Sequence, residues 1–243
     1  MAGLCATGAA LLVRAPAFPT SEGVAWAVVA GLAEAAYFVT LARSLERAPL
    51  GVAYTIARGG AILVVWPLSM LWFGERASLL SFAGSALVLA GLVFTGLRRG
   101  GGSGDTRGLL YAVACAVFVS FVYLAYKRAL AAGVEQTALF ALSLVIALPV
   151  NVLALGRGGA RRVFGHLRTH PVALACAGIV CAASFLIFLD ALRESGTGRV
   201  LTLRNTSVIF AQMFGWAMGE RPNSLQIGGV VLVAAGAVLL GIT

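Results

Sequence analysis

Leu109–Tyr126 reads LLYAVACAVFVSFVYLAY, a run of eighteen residues without a charge. As a helix it would cover about 27 Å at 1.5 Å per residue, close to the roughly 30 Å of bilayer hydrocarbon. A membrane strand would alternate apolar and polar residues over about ten positions, and this run is apolar on every side. Backbone polar groups in lipid must be satisfied internally, and a helix does so within a single segment.

Outward from this stretch the same signal recurs. Apolar segments at 22–45, 50–73, 79–97, 109–131, 136–156, 171–192, 199–218 and 225–242 predict about eight transmembrane helices. A short apolar piece from Leu4 to Val13, closed by Arg14, predicts a partial helix at the N-terminus; it lacks the basic start of a cleaved signal. The chain of 243 residues is 60% hydrophobic and 11% charged, too little polar material to clothe a soluble domain. The expected fold class is all-α integral membrane, multi-pass, with the lipid bilayer as its medium. The formal net charge of +9 lies mainly between the apolar runs, where Arg and Lys meet headgroups. No basic region reaches domain size, so nucleic acid is not an expected partner. Cys5, Cys115, Cys176 and Cys181 sit in apolar surroundings without a C-x-x-C pair and read as packing residues. Residues Arg157 to His170 read as a basic loop; His166 and His170 have helical spacing but no third ligand nearby, so no metal is expected.

The chain repeats itself. Gly74-Glu75-Arg76 returns 145 positions later as Gly219-Glu220-Arg221, and at that offset Gly84 meets Gly229, Gly91 meets Gly236 and Gly96 meets Gly241. With small shifts of offset, Arg58 meets Arg204 and Arg14 meets Arg157. The second copy then holds five helices and the first holds three with part of another. An odd number of helices per copy places tandem copies in opposite orientations, the inverted repeat of many secondary transporters. The expected organisation is a truncated first repeat over 1–97, missing its first one and a half helices, a Gly-rich linker over 98–108, and a second repeat over 109–243.

Several polar residues lie inside apolar helices. Glu34 falls near the middle of its segment, where an ionisable group is costly unless paired or wetted. It reads either as a proton-coupling or substrate-binding carboxylate, or as a buried partner for Arg58 or a polar clamp between helices. Tyr37 shares its face one turn on and reads as a ligand contact or a packing residue. Arg58 and Arg204 hold equivalent places in the two copies; they read as snorkelling side chains or as inward groups for an anionic part of a substrate. Asn205, with Gln212, adds hydrogen-bonding capacity on the Arg204 helix. Asp190 reads as interfacial, near Arg193. Tyr123 and Tyr126, beside Lys127 and Arg128, read as an interfacial aromatic belt. Glu75 and Glu220 follow glycines at helix ends and read as turn determinants that accept N–H bonds at the start of the next helix. The glycine pairs seven apart read as sites of close helix approach. No Ser-His-Asp set or carboxylate pair points to an enzyme.

Val52-Ala53-Tyr54-Thr55-Ile56-Ala57-Arg58-Gly59-Gly60, Trp72-Phe73-Gly74-Glu75-Arg76, Gly84 and Gly91 together resemble the EamA-like branch of the drug/metabolite transporter superfamily. Leu203-Arg204-Asn205-Thr206-Ser207-Val208, Met218-Gly219-Glu220-Arg221, Gly229 and Gly236 are similar to its matching half. The resemblance implies ten helices in two inverted five-helix repeats, a central cavity, no covalent cofactor, and movement of small metabolites or drugs, usually outward (efflux) across the plasma or inner membrane. Alternating access with a small-molecule substrate is the expectation; an accessory subunit active only with a partner chain is the alternative, and a homodimer is allowed. Most basic residues, Arg98, Arg99, Arg107, Arg161, Arg162 and Arg168 among them, lie on the linker's side. The positive-inside rule places that side in the cytoplasm, whereas the family arrangement places it outside.

Overall fold

The computed structural model describes residues 18–73, 78–96, 105–156, 158–194, 200, 204, 207–221 and 223–242. Helices run over Ser21–Leu45 (α1), Leu50–Phe73 (α2), Leu79–Gly96 (α3), Thr106–Ala131 (α4), Gln136–Ala154 (α5), Gly159–Thr169 (α6), Pro171–Glu194 (α7), Ser207–Ala217 (α8) and Ser224–Gly241 (α9). No strand occurs among the described residues. Five helices, α1, α2, α4, α5 and α7, are long and apolar enough to cross a membrane; shorter apolar helices lie within α3, α8 and α9. The expected partial helix at Leu4–Val13 and the Gly74-Glu75-Arg76 turn lie outside the described residues. Many large apolar side chains are exposed, Leu79, Leu71, Leu153 and Met218 among them, as a lipid-facing surface requires.

The ends of these helices are chemically specified. Asp105 accepts from the Arg107 amide at the start of α4 (3.1 Å), Glu135 from the Ala138 amide at the start of α5 (3.2 Å), and Asn223 forms a capping box with Gln226 at α9 (2.8 and 3.0 Å). Gly219, at φ 92°, ends α8: its amide bonds to Trp216 O (3.0 Å), and the Glu220 amide bonds to Gly215 O (2.9 Å). That is a Schellman closure, which needs the left-handed conformation that glycine adopts freely.

Two compact units emerge, each drawing on both halves of the sequence. The first comprises residues 1–39 and 122–194. Its core is aromatic: Phe185 stacks on Phe140 (5.0 Å, 18°) and meets Tyr126 edge-on (5.9 Å), while Tyr123 packs on Phe188 (5.3 Å). Tyr123 and Tyr126 are 2% and 0% exposed, which overturns the interfacial belt expected for them. The two lie one turn apart on the inward face of α4, so their nearness in sequence to Lys127 and Arg128 misplaced them. The stretch expected to be a basic loop is largely helix α6, joined to α5 through Gly156 and Gly158 (φ 71° and 83°) and to α7 through His170 alone.

The second unit comprises residues 40–121 and 195–243. Here α3 and α9 pack along their glycines. A Cβ on Gly91 would stand 2.5 Å from Gly229 O, and one on Gly236 would stand 2.6 Å from Gly84 O. Gly84 therefore faces Gly236 and Gly91 faces Gly229, so the two helices run antiparallel. Small residues allow backbones to approach this closely where lipid supplies no hydrophobic drive between helices. Val88, fully buried, closes the contact with Ile62 and Ala237.

Glu220 corrects one expectation. Its carboxylate caps not the following helix, which Asn223 serves, but the distant α2, accepting from the Leu50 and Gly51 amides (2.5 and 3.2 Å). A side chain on Gly215 would meet the Glu220 carboxylate at 2.5 Å, so that glycine leaves room for the cap. Two orphan amides at the positive end of a helix are satisfied by one negative group. Glu220→Ala is expected to lower stability by about 1–2 kcal/mol, read as a drop in detergent-solubilised melting temperature. Glu220→Asp, one methylene shorter, should recover little; full recovery would show that reach does not matter.

Candidate functional site

Glu34 sits on the fourteenth residue of α1, about 20 Å from its start. It is 1% exposed. The Tyr126 hydroxyl donates to its carboxylate at 2.6 Å, and the Ser143 hydroxyl lies 2.7 Å from the Tyr126 hydroxyl. Ser143 also reaches Phe140 O at 2.9 Å. These groups form one polar path through an apolar core, from α1 through α4 to α5. Gly31 explains the closeness of α5: a Cβ there would lie 2.9 Å from Ile146 Cβ and 3.1 Å from Ser143 Cα. One turn before Glu34, the missing side chain lets the Ser143 backbone approach α1. Tyr37 belongs to the same unit, buried, its ring 5.0 Å from that of Phe38 and tilted by 45°.

In the second unit Arg58 is 8% exposed, and its guanidinium carbon stands 5.3 Å over the Tyr54 ring. The Tyr54 hydroxyl interacts with Arg58 and with Ser207, and lies in the field of Arg204. Ser207 in turn donates to Arg204 O (2.6 Å). The two arginines that the repeat pairs in sequence are thus brought to the surroundings of one tyrosine. Asn205 lies outside the described residues. Gln212, half-buried, abuts Gly51 at the start of α2, and its side-chain oxygen is buried with no hydrogen-bond partner among the described residues.

Sequence reasoning missed Tyr54, Ser207, Tyr126 and Ser143. Tyr54 precedes Arg58 by four residues and Ser207 follows Arg204 by three, spacings that place each on its arginine's face. Nothing comparable marks Tyr126 or Ser143, which lie on helices distant in sequence from Glu34. Asp190 accepts from Gln136 Nε2 (3.2 Å) at an exposed position near the end of α7. Among the described residues no three His, Cys, Asp or Glu side chains gather within metal-binding reach.

Outside the spans, the Arg47 guanidinium meets Asp105 at 2.8 Å. Its hydrogen bond holds the Asp105 carboxyl below the usual carboxylate range, and Asp105 raises Arg47 in return. A depressed acid contributes stability above its unfolded value near pH 3.9 and loses it as pH falls through the lower folded value. Below about pH 4, wild type and Asp105→Asn should therefore converge in melting temperature, with wild type above the variant at neutral pH. Both groups are exposed, so the gap should shrink further in high salt. A gap that persists unchanged in acid would mean the pair adds nothing.

The family model of the EamA-like transporters matches residues 106–242, α4 through α9. The match covers more than half of the chain and includes the Gly219-Glu220 closure, the antiparallel glycines of α9, and Tyr126 and Ser143. With five helices long and apolar enough to cross a membrane, and Glu34 and Arg58 buried within two of them, this chain belongs to the EamA-like transporter family.

Proposed function

We propose that the chain is a secondary transporter that exports small metabolites across the plasma or inner membrane by alternating access. The observation that carries this reading is the buried Glu34 carboxylate, deep within a span and held by the Tyr126 hydroxyl. An ionisable group kept at such depth is retained for a task rather than for stability. Along the path from Glu34 to Phe140 O, each hydroxyl can pass its hydrogen bond in either direction. Protonation of Glu34 would let it donate to Tyr126, Tyr126 to Ser143, and Ser143 to Phe140 O. The path accommodates both charge states, as a proton-coupling group must.

Arg58 and Arg204, with Asn205, are assigned to the substrate, and Tyr37, in the first unit, is kept as a ligand contact of its own. Two guanidinium groups beside one phenol suit a carboxylate or phosphate on the transported molecule. The two-copy organisation, 1–97 and 109–243 about a linker at 98–108, is part of the same reading. It is supported by the α3–α9 contact: Gly84 and Gly229 are equivalent in the repeat, as are Gly91 and Gly236, so each contact joins the first glycine of one copy to the second of the other. Reciprocal contacts of this kind belong to a two-fold relation, and antiparallel helices give the inverted form.

The test is efflux from proteoliposomes loaded with a mixture of amino acids, nucleosides, sugars and carboxylic acids. At least one solute should leave in a protein-dependent manner, and Arg58→Gln or Arg204→Gln should slow it by about ten-fold or more, the loss of one charge-assisted contact. Monodisperse protein that moves none of the loaded solutes would sink the transporter reading.

A further inference from the structure

Helix α6 is eleven residues long, about 16 Å, too short to cross a bilayer. It is joined to two helices that are long enough, α5 and α7, by connections of a few residues and one residue. Whatever α6 does, it does at the membrane surface. Its residues sort sharply around the helix axis. At about 100° per residue, Val163, Phe164 and Leu167 fall in one sector of roughly 100°. Arg161 and Arg168, seven apart, border that sector on one side by the same count, and Arg162 lies on the far side. Phe164 is 65% exposed and Leu167 37% exposed, and all three arginines are exposed. Arg162 is engaged structurally, donating to Leu155 O at the end of α5 (2.6 Å). No acidic residue occurs between Arg157 and His170.

We propose that α6 lies in the plane of the membrane interface, its Val163–Phe164–Leu167 face in the acyl boundary and Arg161 and Arg168 holding the headgroups of anionic phospholipids. An exposed phenylalanine on a helix tethered to two spans has lipid beside it, and a basic border to such a face meets phosphate at headgroup depth. The absence of any acidic residue in the segment leaves its charge to be matched from the membrane, and anionic lipid is the complementary surface. The Arg162 bond to Leu155 O ties α6 to the end of α5, and Pro171 opens α7 at the first helical position, where its missing N–H leaves nothing unsatisfied.

The experiment places the full-length protein in nanodiscs of phosphatidylcholine alone or mixed with phosphatidylglycerol, and follows hydrogen exchange of the amides over 159–169. Exchange should slow by roughly 25-fold in the anionic discs, and Arg161→Gln and Arg168→Gln should each remove about five-fold of that slowing, the equivalent of about 1 kcal/mol per surface arginine. Arg161→Lys/Arg168→Lys should keep most of it, which separates charge from any damage to the fold; amides of α5 serve as the folding control. Equal exchange in the two lipids would overturn the proposal, as would a double glutamine variant that retains the full slowing. Equal slowing by inorganic phosphate in neutral discs would assign the arginines to a soluble anion and overturn the lipid assignment.

Discussion

Gly229→Val is expected to lower stability by about 3 kcal/mol or more, while Gly228→Ala, one residue earlier, leaves the fold intact or slightly improved. A Cβ on Gly229 would stand 2.5 Å from Thr95 Oγ1, 2.6 Å from Gly91 O and 2.7 Å from Thr95 N. Two of those three atoms are backbone, so no rotamer change relieves the clash. The helices would have to separate along the contact that also seats Gly91, Gly236 and Val88. Overpacking a tight core costs typically about 1–3 kcal/mol, and a β-branched group against backbone belongs at or beyond the top of that range. Against a total stability of about 5–15 kcal/mol, this is a large share. A Cβ on Gly228 would meet nothing within 4 Å, and the residue is exposed. There alanine only relieves the helix penalty of glycine, a gain of about 0.5–1 kcal/mol. Melting temperatures and size-exclusion profiles of the two variants in mild detergent check the pair. Equal behaviour of the two would mean that close approach, and not helix propensity, has been misjudged.

Much of the architecture was legible because the bilayer writes it in plain composition. Every segment marked at the outset carries helix through nearly all of its described length, from Ser21–Leu45 to Ser224–Gly241. The glycines of α3 and α9 were readable as approach sites because nothing else explains small residues seven apart in an apolar helix. Helix α6 was not legible as a helix, since its glycines and arginines resemble a loop until their angular sorting is examined. The target of Glu220 was invisible for another reason: it lies 170 residues back along the chain, and a cap carries no sequence mark of which helix it serves. The same limit governs the polar path. Glu34 stands out by its depth in an apolar run, but a helix that is apolar all round gives no hint of which face looks inward. The charged neighbours of Tyr126 therefore point it to the interface when its ring is buried, and nothing in the sequence marks Ser143. Arg58 and Arg204 are singled out by the repeat itself, whereas nothing in the sequence marks Tyr54 as their common neighbour.

Glu34→Gln is expected to uncouple transport from protons while leaving solute exchange in place. The amide is close to the carboxyl in shape and can still take the hydrogen bond from Tyr126, so the fold should survive. It cannot titrate, so it cannot carry a coupling proton. Proton-driven flux in proteoliposomes should fall at least about ten-fold, since only an ionisable group within the span can carry the coupling charge. Exchange of labelled for unlabelled solute should change little and lose its pH dependence. Tyr126→Phe tests the path from the other end. It takes one donor from a carboxylate that is almost wholly buried, a loss that costs about 1–3 kcal/mol when a buried polar group is left short of a partner. In the double variant that cost should largely vanish, because a neutral amide does not require the phenol as a carboxylate does. The coupling energy between the two sites, read from the cycle of four melting curves, is therefore expected to be well above the few tenths of a kcal/mol typical of independent positions, about 1 kcal/mol or more. Additive effects would mean that the 2.6 Å bond is incidental packing. Proton flux that survives Glu34→Gln, with the variant folded, would move the coupling role elsewhere in the chain.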